Sequence, residues 1–370
     1  MRTIVNMVDQ LTDEFEFWIV TLDRDLGDKD PYPGIEVDKW LPVGKAMVCY
    51  LSPRDCTVRK IGELLKHTRH DVLYLNSFFE PLLTIKTLLA RRLSSLPSKH
   101  VILAPRGEFS PGALEIKYFK KSLYIKVAKM FGIYNGILWQ ASSDHEALDI
   151  ARVMNLTTDV IQVAPDLPSP ILSDKHPSYE IVKAPESQRL RIVFLSRISP
   201  KKNLDYAIKI LAKIKSPVLM DIYGPIEDDD YWQTCRNMWK AMPAHIGIEY
   251  NGSIQPEAVA SVFSQYDLFF FPTRGENYGH VIAEALSAGT SVLLSDQTPW
   301  RNLERDQLGW DFSLDDRDKF IDVIEKLAAT DYQSKKLRRT LIKQKITLRL
   351  ADPVVVEANR KLFQRVVQSG

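Results

Sequence analysis

The sequence predicts an α/β protein built from two doubly wound domains, and three observations lead to that prediction. The chain has 370 residues, which is longer than a single hydrophobic core usually spans. Continuous apolar runs of strand length alternate with helix-period segments, a pattern typical of parallel sheets covered on both faces. A stretch with five prolines, Pro165–Ser187, interrupts this alternation near the middle and is typical of an interdomain linker.

Composition and charge exclude several classes of protein. With 45% hydrophobic and 26% charged residues, the chain is neither disordered nor a coiled-coil rod. A net charge of +2 gives no overall attraction for nucleic acid. Cys49, Cys56 and Cys235 form no C-x-x-C pair, so a disulfide framework or zinc ribbon is excluded. Neither a spanning apolar run nor a signal peptide is present, and we expect a cytoplasmic protein.

The N-terminal half opens with an amphipathic helical pattern and continues with five strands and four helices. Ser143 is a predicted N-cap, with Glu146 reaching back three positions later. The predicted strands are EFWIVTL, DVLYL, HVILAP, GILWQ and VIQVAP, and the predicted helices are Val58–His67, Leu82–Leu93, Phe119–Met130 and Ser143–Met154.

The C-terminal half alternates more regularly. Its predicted strands are RIVFLSR, VLMDIYG, GIEYNGS, LFFFP and SVLLSD, and its helices are Lys202–Lys215, Asp230–Met242, Pro256–Gln265 and Tyr278–Ser287. We therefore expect an N-terminal domain over 1–168, a linker over 169–190 and a C-terminal domain over 191–350. A last helix over 351–370, after Pro353, is expected to pack back on the N-terminal domain.

A strand–loop–helix segment, Phe269–Trp300, is the most informative part of the chain. Gly279 allows close backbone approach where a helix begins, and the N–H groups that follow suit a diphosphate. Glu276 in the loop and Glu284 on the helix can accept hydrogen bonds from sugar and ribose hydroxyls. The alternative is a surface loop with two solvated glutamates.

Two cations follow the first strand of the same half. Arg197 ends that strand and Lys202 opens the next helix, so both lie at the carboxyl edge of the sheet and can neutralise a leaving diphosphate. A solvated basic loop is the alternative.

Gly224 suits a tight strand exit. Three successive aspartates, 228–230, lie at a helix start and are expected to cap it rather than bind metal. No G-x-G-x-x-G or P-loop is present, which disfavours a dehydrogenase or P-loop kinase.

These residues together resemble the retaining glycosyltransferases of family 4, which have the GT-B fold. The pattern is carried by Ser196-Arg197 with Lys202, by Gly224, by Gly252–Ile254, and by Pro272-Thr273 with Glu276, Gly279, Glu284 and Ala285. The resemblance implies two Rossmann-like domains facing across a cleft. It also implies a UDP-, GDP- or ADP-linked sugar donor bound without a metal or other cofactor.

The resemblance also implies a role for each matched residue. Arg197 and Lys202 would hold the diphosphate, Glu284 the ribose, and the backbone at Ile254 the base, with Gly224 at the donor site. Glu276 and the four residues after it would hold the sugar and β-phosphate; these four are Asn277, Tyr278, Gly279 and His280.

The N-terminal half resembles a family sub-group with the pattern A-P-R-G-x-x-S-x-G-A-L, here beginning at Ala104. Arg106 stands where many members have a histidine, and it is a fourth candidate catalytic residue beside Arg197, Lys202 and Glu276. Family members begin with a strand and a glycine-rich loop that this chain lacks. Either the start is truncated or misassigned, or the N-terminal sheet lacks its usual first strand. We favour the first explanation and therefore expect impaired catalysis.

The segment Lys86–Met130 is strongly basic, with ten basic and two acidic residues. This excess predicts contact with an anionic membrane on its inner face, or a lipid diphosphate. A solvated helix pair is the alternative.

The expected activity is transfer of a sugar with retention from a nucleotide sugar to a glycan or lipid-linked acceptor, in bacterial surface polysaccharide synthesis. One alternative is a non-catalytic glycosyltransferase-like subunit that binds nucleotide or serves as a scaffold. The other is a sugar-nucleotide epimerase, for which His280 is the only acid–base candidate near the phosphate loop.

Overall fold

A computed structural model describes residues 2–25, 28–93, 100–115, 117–168 and 189–368. The chain forms two compact units: Met1–Pro170 together with Pro353–Gly370, and Ile171–Asp352. We call them the N-terminal and C-terminal units. Each is α/β and Rossmann-like, as the sequence predicts. Most of the predicted linker, residues 169–188, lies outside the described residues.

The N-terminal unit contains two sheets. The first has the order β1-β3-β2, formed by β1 (Trp18–Leu22), β2 (Trp40–Val43) and β3 (Ala46–Leu51), with β1 and β3 parallel. The second is a parallel sheet with the order β4-β5-β6-β7. Its strands are β4 (Val72–Asn76), β5 (His100–Ala104), β6 (Leu138–Ala141) and β7 (Ile161–Val163). The sequence prediction did not include β2 or β3. The first is short and buries no residue fully, whereas the second is a largely buried apolar run that the prediction passed over.

Among the described residues, six helices of this unit precede the linker. Four of them follow the predicted bounds closely, the first agrees with the amphipathic pattern at the start, and the fourth was not predicted. Before α3 the chain makes one π-helical turn, Pro81–Ile85. The Glu80 carboxylate caps this turn and accepts hydrogen bonds from the N–H groups of Leu82, Leu83 and Thr84. The helices are α1 (Arg2–Leu11), α2 (Val58–His67), α3 (Lys86–Leu93), α4 (Pro111–Glu115), α5 (Tyr118–Met130) and α6 (Asp144–Met154).

The predicted cap of α6 is half right. Ser143 Oγ accepts from the Glu146 N–H at 3.2 Å, as expected of an N-cap. The Glu146 carboxylate does not reach back to Ser143 in a capping box. It accepts from Ser142 N (2.7 Å) and from Gly107 N (2.5 Å), and so ties α6 to the loop after β5.

The C-terminal unit is one six-stranded parallel sheet with the order β10-β9-β8-β11-β12-β13. Its strands are β8 (Leu190–Leu195), β9 (Val218–Tyr223), β10 (Ile246–Tyr250), β11 (Leu268–Phe271), β12 (Ser291–Ser295) and β13 (Gly309–Phe312). The residues of β11 are fully buried. The strand order reverses between β8 and β11, and ligands of doubly wound sheets bind at the carboxyl ends of strands on either side of such a switch point.

Six helices cover this sheet. They are α7 (Leu204–Leu211), α8 (Asp229–Trp239), α9 (Val259–Ser264), α10 (His280–Ser287), α11 (Arg317–Ala328) and α12 (Tyr332–Leu350). The sequence prediction did not include β13, α11 or α12.

The last helix, α13 (Pro353–Gln368), belongs to the N-terminal unit. Phe363 packs against Phe15, with ring centroids 5.3 Å apart, and Asn359 Nδ2 donates to the Pro165 carbonyl at 2.7 Å.

Within the described residues, no helix has both the length and the apolar character needed to cross a membrane. The thiols of the three cysteines are buried and unpaired.

Candidate functional site

A buried ion pair lies at the switch point of the C-terminal sheet. Lys202 ends a 3₁₀ turn after β8, and its Nζ donates to Glu276 Oε1 in the loop after β11. Their side chains are only 12% and 13% exposed. The ammonium also lies 5.5 Å from the centroid of the Phe271 ring. The structure therefore brings together two of the predicted site residues that are 74 positions apart.

Backbone contacts hold these two loops against each other. Lys201 offers its carbonyl to the Arg274 N–H at 2.8 Å and to Thr273 Oγ at 3.1 Å. Asn203 Nδ2 donates to the Pro272 carbonyl at 2.8 Å. Because Asn203 has a left-handed conformation (φ +64°), the helix predicted from Lys202 begins only at Leu204. The ion pair is thus positioned by the main chain on both sides.

Gly279 forms the entry to α10. It is the N-cap at φ +76°, and a Cβ built there would lie 2.7 Å from Ile282 Cδ1. Trp300 Nε1 donates to the Tyr278 carbonyl at 2.6 Å and so fixes the preceding residue. Burial raises the pKa of Tyr278 to about 12, so the phenol is neutral at physiological pH. The N–H groups at the start of α10 lie at the positive end of the helix dipole.

Four further residues of this loop and helix are partly exposed. Asn277, Tyr278 and His280 are half-buried, and the Tyr278 and His280 rings lie 4.7 Å apart. Glu284 lies on α10 and is half-buried as well. The described N-terminus of α10 therefore presents main-chain N–H groups and polar side chains together.

Arg197 and Gly224 lie close together just beyond the ends of β8 and β9, since the predicted strand that Arg197 was expected to end stops at Leu195. Arg197 is exposed and donates to Glu227 Oε1 at 2.6 Å. The Gly224 N–H donates to the Gly252 carbonyl at 2.8 Å, and a Cβ at Gly224 would lie 1.9 Å from the Ser196 carbonyl oxygen. The tight strand exit predicted at Gly224 is thus explained by close backbone approach. Ile254, in the loop after β10, is half-buried against the core.

Arg106 belongs to the other unit. It follows β5 with φ +58°, and its Nε donates to Asn76 Oδ1 at 2.8 Å. Its other nitrogens donate to Tyr74 and to Asp166, whose side chain is only 3% exposed. Burial raises the pKa of the Tyr74 phenol, an effect that Arg106 partly offsets. The sequence analysis missed these partners, because nothing in the sequence indicates that residues 32 and 60 positions away meet Arg106.

One of the three successive aspartates caps a helix, as predicted, and the other two, Asp229 and Asp230, lie in the first turn of α8. Asp228 caps α8 and accepts from the Tyr231 N–H at 2.9 Å. Within the described ranges, no cluster of three or more His, Cys, Asp or Glu side chains could hold a metal ion.

Solved structures share this fold along almost the whole chain. The Anabaena protein HepE, crystallised with UDP-glucose, matches 95% of this chain and 99% of its own, with a TM-score of 0.66 and 14% identity. The fold is GT-B. Trehalose-6-phosphate synthase OtsA matches 99% of this chain and 94% of its own, with a TM-score of 0.67 and 10% identity.

Sequence comparisons agree with the GT-B fold. Residues 179–347, which include all the predicted donor-site residues of the C-terminal unit, match the family model for group 1 glycosyl transferases. An uncharacterized 41.2 kDa protein in the cps region of Klebsiella pneumoniae is 21% identical over 296 residues, covering 76% of this chain and 78% of its own. A phosphatidyl-myo-inositol mannosyltransferase of Mycobacterium tuberculosis is 25% identical over 258 residues, covering 68% of this chain but only 61% of its own. Together these matches support the GT-B fold, and the similarity to group 1 glycosyl transferases lies within the C-terminal unit.

Proposed function

We propose that this protein transfers a sugar from a UDP-, GDP- or ADP-linked donor to a glycan or lipid-linked acceptor, with retention and without a metal ion. The observation that carries the proposal is the Lys202–Glu276 pair. It is mostly buried, it lies at the switch point of a parallel sheet, and its loop leads into α10 through a left-handed glycine.

Lys202 and Arg197 are the proposed diphosphate ligands. Both are held by carboxylates in the free protein, Lys202 by Glu276 and Arg197 by Glu227. A donor diphosphate would compete for these cations and take over their charge-assisted hydrogen bonds. Negative charge grows on the diphosphate as the glycosidic bond breaks, so fixed cations stabilise the transition state more than the ground state. Two such cations can do what Mg²⁺ does in metal-dependent transferases.

Glu276 and the start of α10 are the proposed sugar site. Once Lys202 turns to phosphate, the Glu276 carboxylate is available to accept hydrogen bonds from sugar hydroxyls. The N–H groups of residues 277–280 would bind the β-phosphate, aided by the helix dipole. Glu284 would accept from the ribose hydroxyls, and the backbone near Ile254 would contact the base. Retention is proposed from the family 4 resemblance.

Relatives support the choice of acceptor. One relative lies in a cps region and another is named a phosphatidyl-myo-inositol mannosyltransferase. We therefore propose a role in bacterial surface polysaccharide assembly at the inner face of the cell membrane. Peripheral contact with anionic lipid would be made by the basic segment Lys86–Met130.

Nucleotide binding provides the first test. Thermal unfolding would be followed with UDP, GDP, ADP and their sugar forms, for the wild type and for Glu284→Ala. A ligand at one hundred times its Kd stabilises the folded state by about 2.7 kcal/mol, and each kcal/mol shifts Tm by about 2–4 °C in a domain of this size. We expect a shift with one base only, reduced in Glu284→Ala. No shift with any nucleotide would contradict the donor site.

Product analysis tests the chemistry. With the donor identified and EDTA present, we expect turnover to continue, and NMR of the product should show the anomeric configuration of the donor. An inverted product would overturn retention, and loss of turnover in EDTA would overturn metal independence. Binding without turnover towards any glycan or lipid-linked acceptor would favour the non-catalytic subunit.

A further inference from the structure

Helix α5 exposes an apolar ridge on the side opposite its buried face. Ile125 and Ala128 face inward, into the core of the N-terminal unit. Phe119, Leu123 and Met130 are 87%, 64% and 73% exposed. Helical positions four and eleven residues apart differ by only about 40° and 20° around the axis, so these three side chains share one stripe. We call them the α5 ridge.

Lysines surround the α5 ridge. Residues 117–131 contain five lysines and no acidic residue. Lys121 turns inward, where its Nζ donates to the Ala113 carbonyl at 2.6 Å, and burial lowers its pKa. The other four lysines are exposed: Lys117, Lys120, Lys126 and Lys129. The helix therefore presents bulky apolar groups flanked by positive charge.

The C-terminal end of α3 extends this surface. Arg92 is exposed and donates to the carbonyl of Phe131, the residue that follows α5. Leu93 is 76% exposed and Phe131 is 58% exposed. A second helix thus adds one cation and one apolar side chain beside the end of the α5 ridge.

We propose that the α5 ridge inserts into the headgroup region of an anionic lipid bilayer. Interfacial helices typically bury Phe and Leu by about 5–10 Å while Lys side chains extend towards the phosphates. The inference deepens the membrane contact of the proposed function by naming its inserting element. It does not depend on sugar transfer.

The positive charge around the α5 ridge favours an anionic lipid surface over a second copy of the chain as its binding partner. Two copies meeting through this surface would bring like-charged lysine clusters together, which opposes association. An anionic bilayer supplies the opposite charge and an apolar phase at the same place. Exposed apolar side chains flanked by cations therefore match both the apolar interior and the negative charge of an anionic membrane surface.

Vesicle flotation tests the proposal. The whole protein would be mixed with phosphatidylcholine vesicles, with and without about 30% phosphatidylglycerol, an anionic fraction chosen to attract the lysines. We expect binding to the anionic vesicles, and a fall on the order of tenfold in the Phe119→Ser/Leu123→Ser variant because less apolar surface is buried.

Leu148→Ser is the matched control. Leu148 on α6 is 65% exposed, almost the same as Leu123, but its helix carries Asp144 and Asp149 instead of lysines. We expect this variant to bind anionic vesicles as the wild type does. Circular dichroism of each variant checks that folding is intact.

A fluorescent label gives an independent readout of insertion. Leu123→Cys and Leu148→Cys would be labelled with an environment-sensitive dye, which is feasible because the native thiols are buried. We expect the emission to rise on anionic vesicles only for position 123. Adsorption that is lost in Lys126→Gln/Lys129→Gln but unaffected by the ridge substitutions would overturn insertion.

Two further outcomes would overturn the proposal. One is the absence of vesicle binding, and the other is a ridge-dependent change in oligomeric state without vesicle binding, which would indicate a second copy. Since no donor is present in these assays, neither outcome bears on sugar transfer.

Discussion

The two units each place a cation–carboxylate pair after strands of a parallel sheet, and the pairs are similarly buried. Arg106 and Asp166 in the N-terminal unit have side chains 14% and 3% exposed, and Lys202 and Glu276 in the C-terminal unit 12% and 13%. Their surroundings differ. Arg106 also donates to Tyr74 and Asn76, which both belong to β4. Lys202 and Glu276 lie in loops that lead to a helix N-terminus.

The difference indicates which pair is structural. A guanidinium that donates through all three nitrogens to protein acceptors is held in place, and moving it would break its ion pair with the buried Asp166. The Lys202 ammonium is paired with a carboxylate three residues before the left-handed glycine that opens α10, and it can exchange that carboxylate for a phosphate. We infer that Arg106 stabilises the N-terminal unit and that Lys202 acts in catalysis.

Arg106→Met should have the largest effect on stability. Removing one partner of a buried ion pair typically costs about 3–5 kcal/mol, because the remaining charge is left buried. Urea unfolding would measure the free energy of unfolding. Arg106→Lys keeps the positive charge without the planar guanidinium, so its free energy of unfolding should lie between those of Arg106→Met and the wild type. Unchanged stability of Arg106→Met with loss of transfer would reverse the inference and support the catalytic role predicted from the sequence.

Lys202→Met should have the largest effect on the reaction. Removing one preorganised donor to a developing charge costs about 10²–10³ in kcat. We expect such a loss, with a smaller fall in the free energy of unfolding than in Arg106→Met, since Glu276 lies in a more accessible loop. Single-turnover rates at saturating donor would separate this effect from binding. Full activity of Lys202→Met would remove the main support for the proposed mechanism.

The sequence predicted the C-terminal site far better than its N-terminal counterpart. Arg197, Lys202, Glu276 and Gly279 follow apolar strands at short spacing, so the carboxyl edge of one sheet collects them without knowledge of long-range contacts. Asp166 could not be predicted as a partner of Arg106, because it lies in a segment that has no apolar period. The strand β2 is four residues long and lies at the surface, so its sequence gives a weak signal, whereas the buried apolar run of β3 was present in the sequence and was overlooked.

Gly279→Ala tests the entry to α10 with an intermediate effect. A left-handed conformation costs a residue with a Cβ about 1–2 kcal/mol, and here the Cβ would also crowd Ile282. Gly252→Ala is the matched control, because its φ is +75° and no atom lies within 4 Å of a Cβ there. We expect Gly279→Ala to lose more stability than Gly252→Ala in thermal unfolding, and also to weaken nucleotide binding. Equal losses of stability in the two variants would mean that the close packing of Ile282 against Gly279 does not add to the cost of the substitution.

Arg197→Ala should have the smallest effect on stability and yet a clear effect on the donor. Its side chain is 56% exposed, and exposed ion pairs contribute about 0–1 kcal/mol, so removing its pair with Glu227 should scarcely change Tm. Nucleotide Kd, measured by calorimetry, should rise in Arg197→Ala, because a cation that would face the diphosphate is lost. Glu227→Ala removes the same ion pair while leaving the cation, and it should bind nucleotide as tightly as the wild type or more tightly. If both variants weakened binding equally, the pair would act as a unit that shapes the loop, and Arg197 would join Arg106 as a structural residue.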